Sequence, residues 1–193
     1  MMGWKVTVLN EEKLTEIIGE FIDEYPLCDY FFIKTDDLTL TPEVKTLCDQ
    51  DAAIYGERRK VPQAPDSYAK CEAEIKKYDH AFLFDAVYEV SDAYDLERCE
   101  EARREHAALV ASIRSEFSRR FGKTMALSIS CDLCDDCPCP KKPCLHKDRA
   151  IYSMDSYGVR IMKTLVDRDI MYDYGISAAI YFSLILFNSE EDA

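Results

Sequence analysis

The chain has 193 residues, of which 48% are apolar, enough for one domain with its own core. Its 37 acidic residues against 24 basic ones leave a net charge of −13, which argues against a nucleic-acid partner and leaves a well-solvated exterior or an acidic docking face for a basic protein. The longest apolar run, Ala178 to Phe187, is far too short for a membrane helix, and Met1 to Leu9 does not read as a secretory leader, so a soluble cytoplasmic protein with no membrane contact is expected.

In chain order, Lys5 to Leu9 reads as a short opening strand. Glu11 to Tyr25 carries Leu14, Ile17, Ile18, Phe21 and Ile22 at helical spacing and stops at Pro26. Tyr30 to Lys34 is aromatic and reads as a strand. Thr41-Pro42-Glu43 opens a helix with proline at the first helical position. Asp49 to Ser67, with Gly56, Pro62, Pro65 and the charge run Glu57 to Lys60, reads as a loop, and Ser67 to Tyr78 as a helix. The near-continuous apolar run in His80 to Val90 suits a strand covered on both faces.

Asp95 to Phe121 is the longest helical signal. Leu96, Ala102, His106, Leu109, Ile113, Phe117 and Phe121 form its apolar face, Arg103, Arg104, Arg114 and Arg119 fill the other side, and Gly122 ends it. Thr124 to Ile129 is the next strand, which makes a strand–helix–strand unit. Ser153 then caps a helix carrying Tyr157, Ile161 and Leu165, and Ala178 to Phe187 closes the chain as a buried strand. The expected fold is α/β or α+β: a central mixed sheet of about four to five strands flanked by helices, with a cysteine-rich loop after a core strand. One domain is expected over residues 1–193, with a strand–helix element at 1–45 and a core at 46–193.

Five of the nine cysteines crowd between Cys131 and Cys144. With no leader, an odd count and a chain long enough to do without staples, the pattern points to metal binding rather than disulfides. Cys131, Cys134 and Cys137 recur at steps of three, and Cys144 follows seven residues on. Thiolates two residues apart can wrap one face of a cluster, and three of them plus a more distant fourth is how many [4Fe–4S] clusters are held. The bacterial ferredoxin run would put its fourth cysteine at 141, where this chain has Lys141; the prolines Pro138, Pro140 and Pro143 can turn Cys144 back instead. Cys139 is a spare candidate. Zinc is the competing metal, although zinc more often uses two paired knuckles, and an uncomplexed thiol or disulfide site is the third reading. The site is expected at the carboxyl end of a strand and ahead of a helix N-terminus at Ser153.

At these residues the chain resembles a prokaryotic family of predicted metal-binding proteins, domain-of-unknown-function family 2284. The likeness rests on Cys131, Cys134, Cys137 and Cys144 and on Ser153-Met154-Asp155-Ser156-Tyr157-Gly158, and it spans about residues 40–170, including the Tyr78 to Phe84 strand and the Glu97 to Arg104 helix. Members of the family carry a first cysteine group that this chain departs from. It keeps Leu47-Cys48 and Tyr55-Gly56, has Asp51 where a cysteine would fall, and has Val61-Pro62-Gln63 where Cys-Pro-Pro would fall, so Cys48 and Asp51 are only weak second-site candidates. The resemblance implies metal binding and no particular reaction.

Isolated Cys28, Cys71 and Cys99, and His80 and His106, read as core residues, and Tyr25, Tyr30, Phe31 and Phe32 as packing. No phosphate-binding glycine loop, nucleophile elbow or zinc-protease motif is present. Three functional classes remain: a [4Fe–4S] protein passing electrons to a protein redox partner or sensing redox state, a zinc-stapled protein-interaction module, and an iron–sulfur enzyme with one iron left open to substrate.

Overall fold

The structure is a computed structural model that describes residues 11–55, 61–92, 95–139, 141–170 and 177–189. The opening strand expected at Lys5 to Leu9 lies outside them. The helices are α1 (Glu11–Ile22), α2 (Pro42–Tyr55), α3 (Tyr68–Ile75), α4 (Leu96–Phe121) and α5 (Ile161–Asp167), and the strands are β1 (Tyr30–Lys34), β2 (His80–Glu89), β3 (Met125–Ser128), β4 (Ile151–Ser153) and β5 (Ala178–Phe187). The strands form one mixed sheet in the order β1-β2-β5-β3-β4. All neighbours are antiparallel except β3 and β4.

The last strand of the sequence sits at the centre of the sheet. β2 pairs with β5 along its whole length, from His80 opposite Phe187 to Glu89 opposite Ala178. Side chains alternate across a strand, so the apolar run of β2 serves two cores at once. Phe82, Phe84 and Ala86 join Leu14, Ile18 and Phe21 of α1 and Val110, Ile113 and Phe117 of α4 on one face. Ala81 and Leu83 join Cys71 and Ile75 of α3, Leu165 of α5 and Tyr157 on the other. Aromatic rings interlock in the first core, where Phe117 meets Phe82 at 4.9 Å and Phe187 at 5.1 Å between centroids.

Several expectations are corrected. The strand–helix–strand unit keeps both strands in the same direction, but β5 lies between them. The segment from Asp49 is not loop from its start, because α2 runs on to Tyr55. Helix propensity carries it there, with Lys45 paired to Asp49 at 3.0 Å one turn on and two alanines following. Ser153 caps no helix. It ends β4, and a single 3-10 turn over Asp155–Tyr157 precedes α5. Arg114 is not on the solvent side of α4: it is only 9% exposed, whereas Leu96, placed on the apolar face, is 73% exposed. Cys28 is exposed and Cys99 partly so, and of the three isolated cysteines only Cys71 is fully buried.

The Tyr157-Gly158 step is where close approach demands glycine. Gly158 has φ of 76°, and a Cβ there would lie 2.7 Å from the Thr41 carbonyl oxygen. The Gly158 carbonyl in turn accepts the Thr41 N–H at 2.8 Å. Gly158→Ala therefore combines left-handed strain with a backbone clash, and a loss of about 1–3 kcal/mol is expected as a lower urea midpoint at unchanged slope.

His106 is fully buried on α4, its Nδ1 bonded to the Tyr88 hydroxyl at 3.1 Å and its Nε2 to Ser183 Oγ at 2.8 Å. Ser183 in turn donates to Ser128 Oγ at 2.7 Å, so the chain of bonds crosses from β2 through α4 to β5 and β3. Burial lowers the imidazole from 6.5 to about 4. The unfolded chain takes up this proton near pH 6.5 and the folded one only near pH 4, so stability is unaffected above that window and falls within it on acidification, by about 3 kcal/mol. In urea titrations near pH 7 and near pH 4.5, His106→Gln is expected to start less stable and to lose less on acidification than the unaltered chain. An equal loss in both would assign the acid sensitivity to other groups.

Candidate metal centre

β3 and β4 are parallel neighbours, with Ala126 opposite Ile151 and Ser128 opposite Ser153. The chain between them, residues 129–150, contains no helix and no strand among its described residues. All five clustered cysteines lie on this connection, beginning three residues beyond the end of β3. Three attachments hold it. Arg114 of α4 donates from Nη1 to the Ala150 carbonyl at 2.8 Å and from Nη2 to the Thr124 carbonyl at 3.0 Å, which ties the entry of β4 to the entry of β3. Arg103 of α4 faces Asp132 at 3.6 Å. Cys131 itself packs into the core shared by α1 and α4.

Several of the sulfurs feel one another's charge. Cys131 and Cys139 are buried, while Cys134, Cys137 and Cys144 are partly exposed, and all five are free thiols. Burial pushes the Cys139 thiol up to about 12, and the side chains of Cys137 and Cys144 push it further through hydrogen bonding and charge. Burial also raises Cys131, with Cys144 and Cys137 adding to the rise, while the Ile151 and Leu133 amides donate to its sulfur and oppose it. The His146 amide reaches the Cys144 sulfur at 3.4 Å. Two sulfurs thus each receive the N–H of the residue two positions on, a turn that favours the thiolate form.

Among the described residues no three Cys, His, Asp or Glu side chains form a ready-made metal-holding group. The donor set nevertheless fits a thiophilic metal: several sulfurs on one loop, no cystine, and amides turned toward two of the sulfurs. The second-site candidates lie one turn apart on α2, Cys48 buried and Asp51 exposed. The helix N-terminus expected at Ser153 is replaced by β4, whose first amide, that of Ile151, is the one that reaches Cys131.

The Ser153 to Gly158 segment packs rather than ligates. Tyr157, 1% exposed, donates its hydroxyl to Glu74 Oε2 at 2.7 Å, and Ser156 donates to the Ser153 carbonyl at 2.7 Å. Tyr152 stands beside the loop: burial raises its phenol first, and then Glu74, Cys144 and Cys131 do so. Sequence reasoning missed Arg114, although it follows Val110 by four residues and precedes Phe117 by three, inside the apolar arc of α4.

No helix among the described residues is long and apolar enough to cross a membrane. No curated protein matches the chain. No solved structure matches it either. A family model does match, over residues 31–187, from the second residue of β1 to the end of β5. By that match the chain belongs to the family described as predicted metal-binding protein (DUF2284).

Proposed function

We propose that the Cys131 to Cys144 loop holds one [4Fe–4S] cluster and that the protein carries single electrons to a protein partner or senses redox state. The observation that supports this reading is five free cysteines on one short loop, with Cys139 interacting with Cys137 and Cys144 and Cys131 feeling the charge of both. A cubane cluster takes four thiolates and supplies a one-electron couple when bound. Cys131, Cys137 and Cys144 are assigned to the shell by their spacing, and each interacts electrostatically with another sulfur of the loop. The fourth ligand is Cys134 on the spacing and Cys139 on the contacts. The protein's own part is to hold the sulfurs as thiolates with the Leu133, Ile151 and His146 amides, and to shield Cys131 and Cys139 from water.

Zinc remains the second reading, because the paired amide-to-sulfur turns would serve a single tetrahedral ion equally well. A zinc-loaded chain would be an interaction module whose loop is ordered by the metal. An enzyme with one open iron is the third.

Protein purified without oxygen is expected to be brown and to contain about four iron and four sulfide per chain. Dithionite should bleach it and give a paramagnetic signal. A colourless protein with one zinc, or with no metal, would end the iron–sulfur reading.

Single serine substitutions identify the shell. Metal content should fall to background in the Cys131, Cys137 and Cys144 variants and in one of the Cys134 and Cys139 variants. Retention in both of the last two at an unaltered potential would exclude a four-thiolate shell. If the Cys134 and Cys139 variants each keep a cluster with altered potential, the two residues exchange as ligands.

A further inference from the structure

A cleft of about 420 Å³ opens where β3 and β4 begin, with Lys147 and Asp148 of the cysteine-bearing connection in its lining. The volume is that of a small-molecule site. Its charged lining is Lys77, Arg114, Lys123 and Lys147 against Glu74 and Asp148. Four cations meet two acids here, on a chain whose net charge is −13.

The cations are also unspent. Elsewhere lysines find acids readily: Lys45 pairs with Asp49, Lys70 with Asp66, Lys76 with Glu72 and Lys163 with Asp167. Among the described residues, Lys77, Lys123 and Lys147 form no ion pair and no side-chain hydrogen bond. Of the two acids, Glu74 already accepts the Tyr157 hydroxyl at 2.7 Å.

Arg114 is the built part of the site. The residue is only 9% exposed, and its guanidinium makes its hydrogen bonds to neutral oxygens: Thr124 Oγ1 at 3.3 Å, the Ala150 carbonyl at 2.8 Å and the Thr124 carbonyl at 3.0 Å. Asp148 lines the same cleft without reaching salt-bridge distance of it among the described residues. Asp148 acts on this cation only from beyond ion-pair distance, so its charge is incompletely compensated, and an anion in the cleft would lower the cost of burying it. The fork fixes two strand entries and still has N–H groups to spare, since a guanidinium carries five.

We infer that this cleft binds a small organic anion through an oxyanion group, a carboxylate or a phosphate, held between the Arg114 guanidinium and the Lys77, Lys123 and Lys147 ammonium groups. The inference does not depend on which metal the cysteine loop holds. Tyr78, Tyr152 and Tyr157 also line the cleft and give the rest of the ligand apolar ring surface, with the Tyr157 hydroxyl already committed to Glu74. Specificity beyond the oxyanion would come from them.

Inorganic phosphate and malonate are the probes, titrated separately into the purified full-length chain by calorimetry at low ionic strength. Saturable binding of one or both is expected. The Lys123→Gln/Lys147→Gln double variant, altered only at exposed positions, should weaken it roughly fivefold. Lys70→Gln/Lys163→Gln removes the same charge from exposed helix faces away from the cleft and should leave binding unchanged. Saturation by phosphate alone or by malonate alone assigns the oxyanion, and mutual displacement places both at one site. Three results would overturn the proposal: no saturable binding of either probe, equal binding by the cleft variant and the unaltered chain, or equal weakening in the cleft and control variants.

Discussion

Parallel strands point the same way, so the chain that leaves the far end of β3 must travel back along the strand pair before it can enter β4. Such a crossover takes a dozen residues or more, and a helix usually fills it. Here residues 129–150 make the journey with no helix or strand among those described. A connection of that length is a poor match to a compact domain unless something organises it. This connection carries five cysteines, of which Cys131 and Cys139 are buried and Cys139 interacts with Cys137 and Cys144. On the proposed reading, a metal held by these sulfurs would supply that organisation.

The attachments of the loop show how the fold serves the centre. Cys131 packs among the residues of the α1 and α4 core, and its sulfur receives the first amide of β4. The edge strand and the first sulfur thus fix one another. β4 is only three residues long, too short to hold its place by pairing alone. It is held from below by Arg114 through the Ala150 carbonyl and from beyond by the Met154 N–H to Ser128 carbonyl bond at 2.9 Å. The Gly158 turn then packs against Thr41, at the threshold of α2.

Much of this was legible from residue order. The Ala81 to Tyr88 run announced a strand covered on both faces, and the two cores meeting on Phe82 and Leu83 bear that out. Asp95 accepts the Arg98 N–H at 3.1 Å and Gly122 takes a φ of 72°, so both ends of α4 were written locally. Pro42 opens α2 for the same local reason. What escaped was whatever tertiary contact alone decides. Ile151 to Ser153 has no strand signature in three residues and becomes one only beside β3. Arg114 is charged, so a two-class pattern assigns it to solvent, although its position on the helix and its long stem let it lie inside. Cys139 breaks the three-residue step of its neighbours, and its closeness to Cys137 and Cys144 comes from the path of a proline-rich loop that no periodicity encodes.

Arg114 also explains why the edge of the sheet carries an unusual local charge. Its guanidinium must span two carbonyls on neighbouring strands, 3.0 Å and 2.8 Å away, and an ammonium group has no planar fork to do so. The need for a rigid double donor therefore buries a permanent cation at the entry of β3 and β4. That cation is close enough to Cys131 to feel its charge, and the same side chain lines the cleft. Thiolates gathered on the loop would gain from it in a setting where charges are weakly screened. One structural requirement, two strands held at their start, thus places a single permanent cation within electrostatic reach of Cys131 and in the lining of the open cleft.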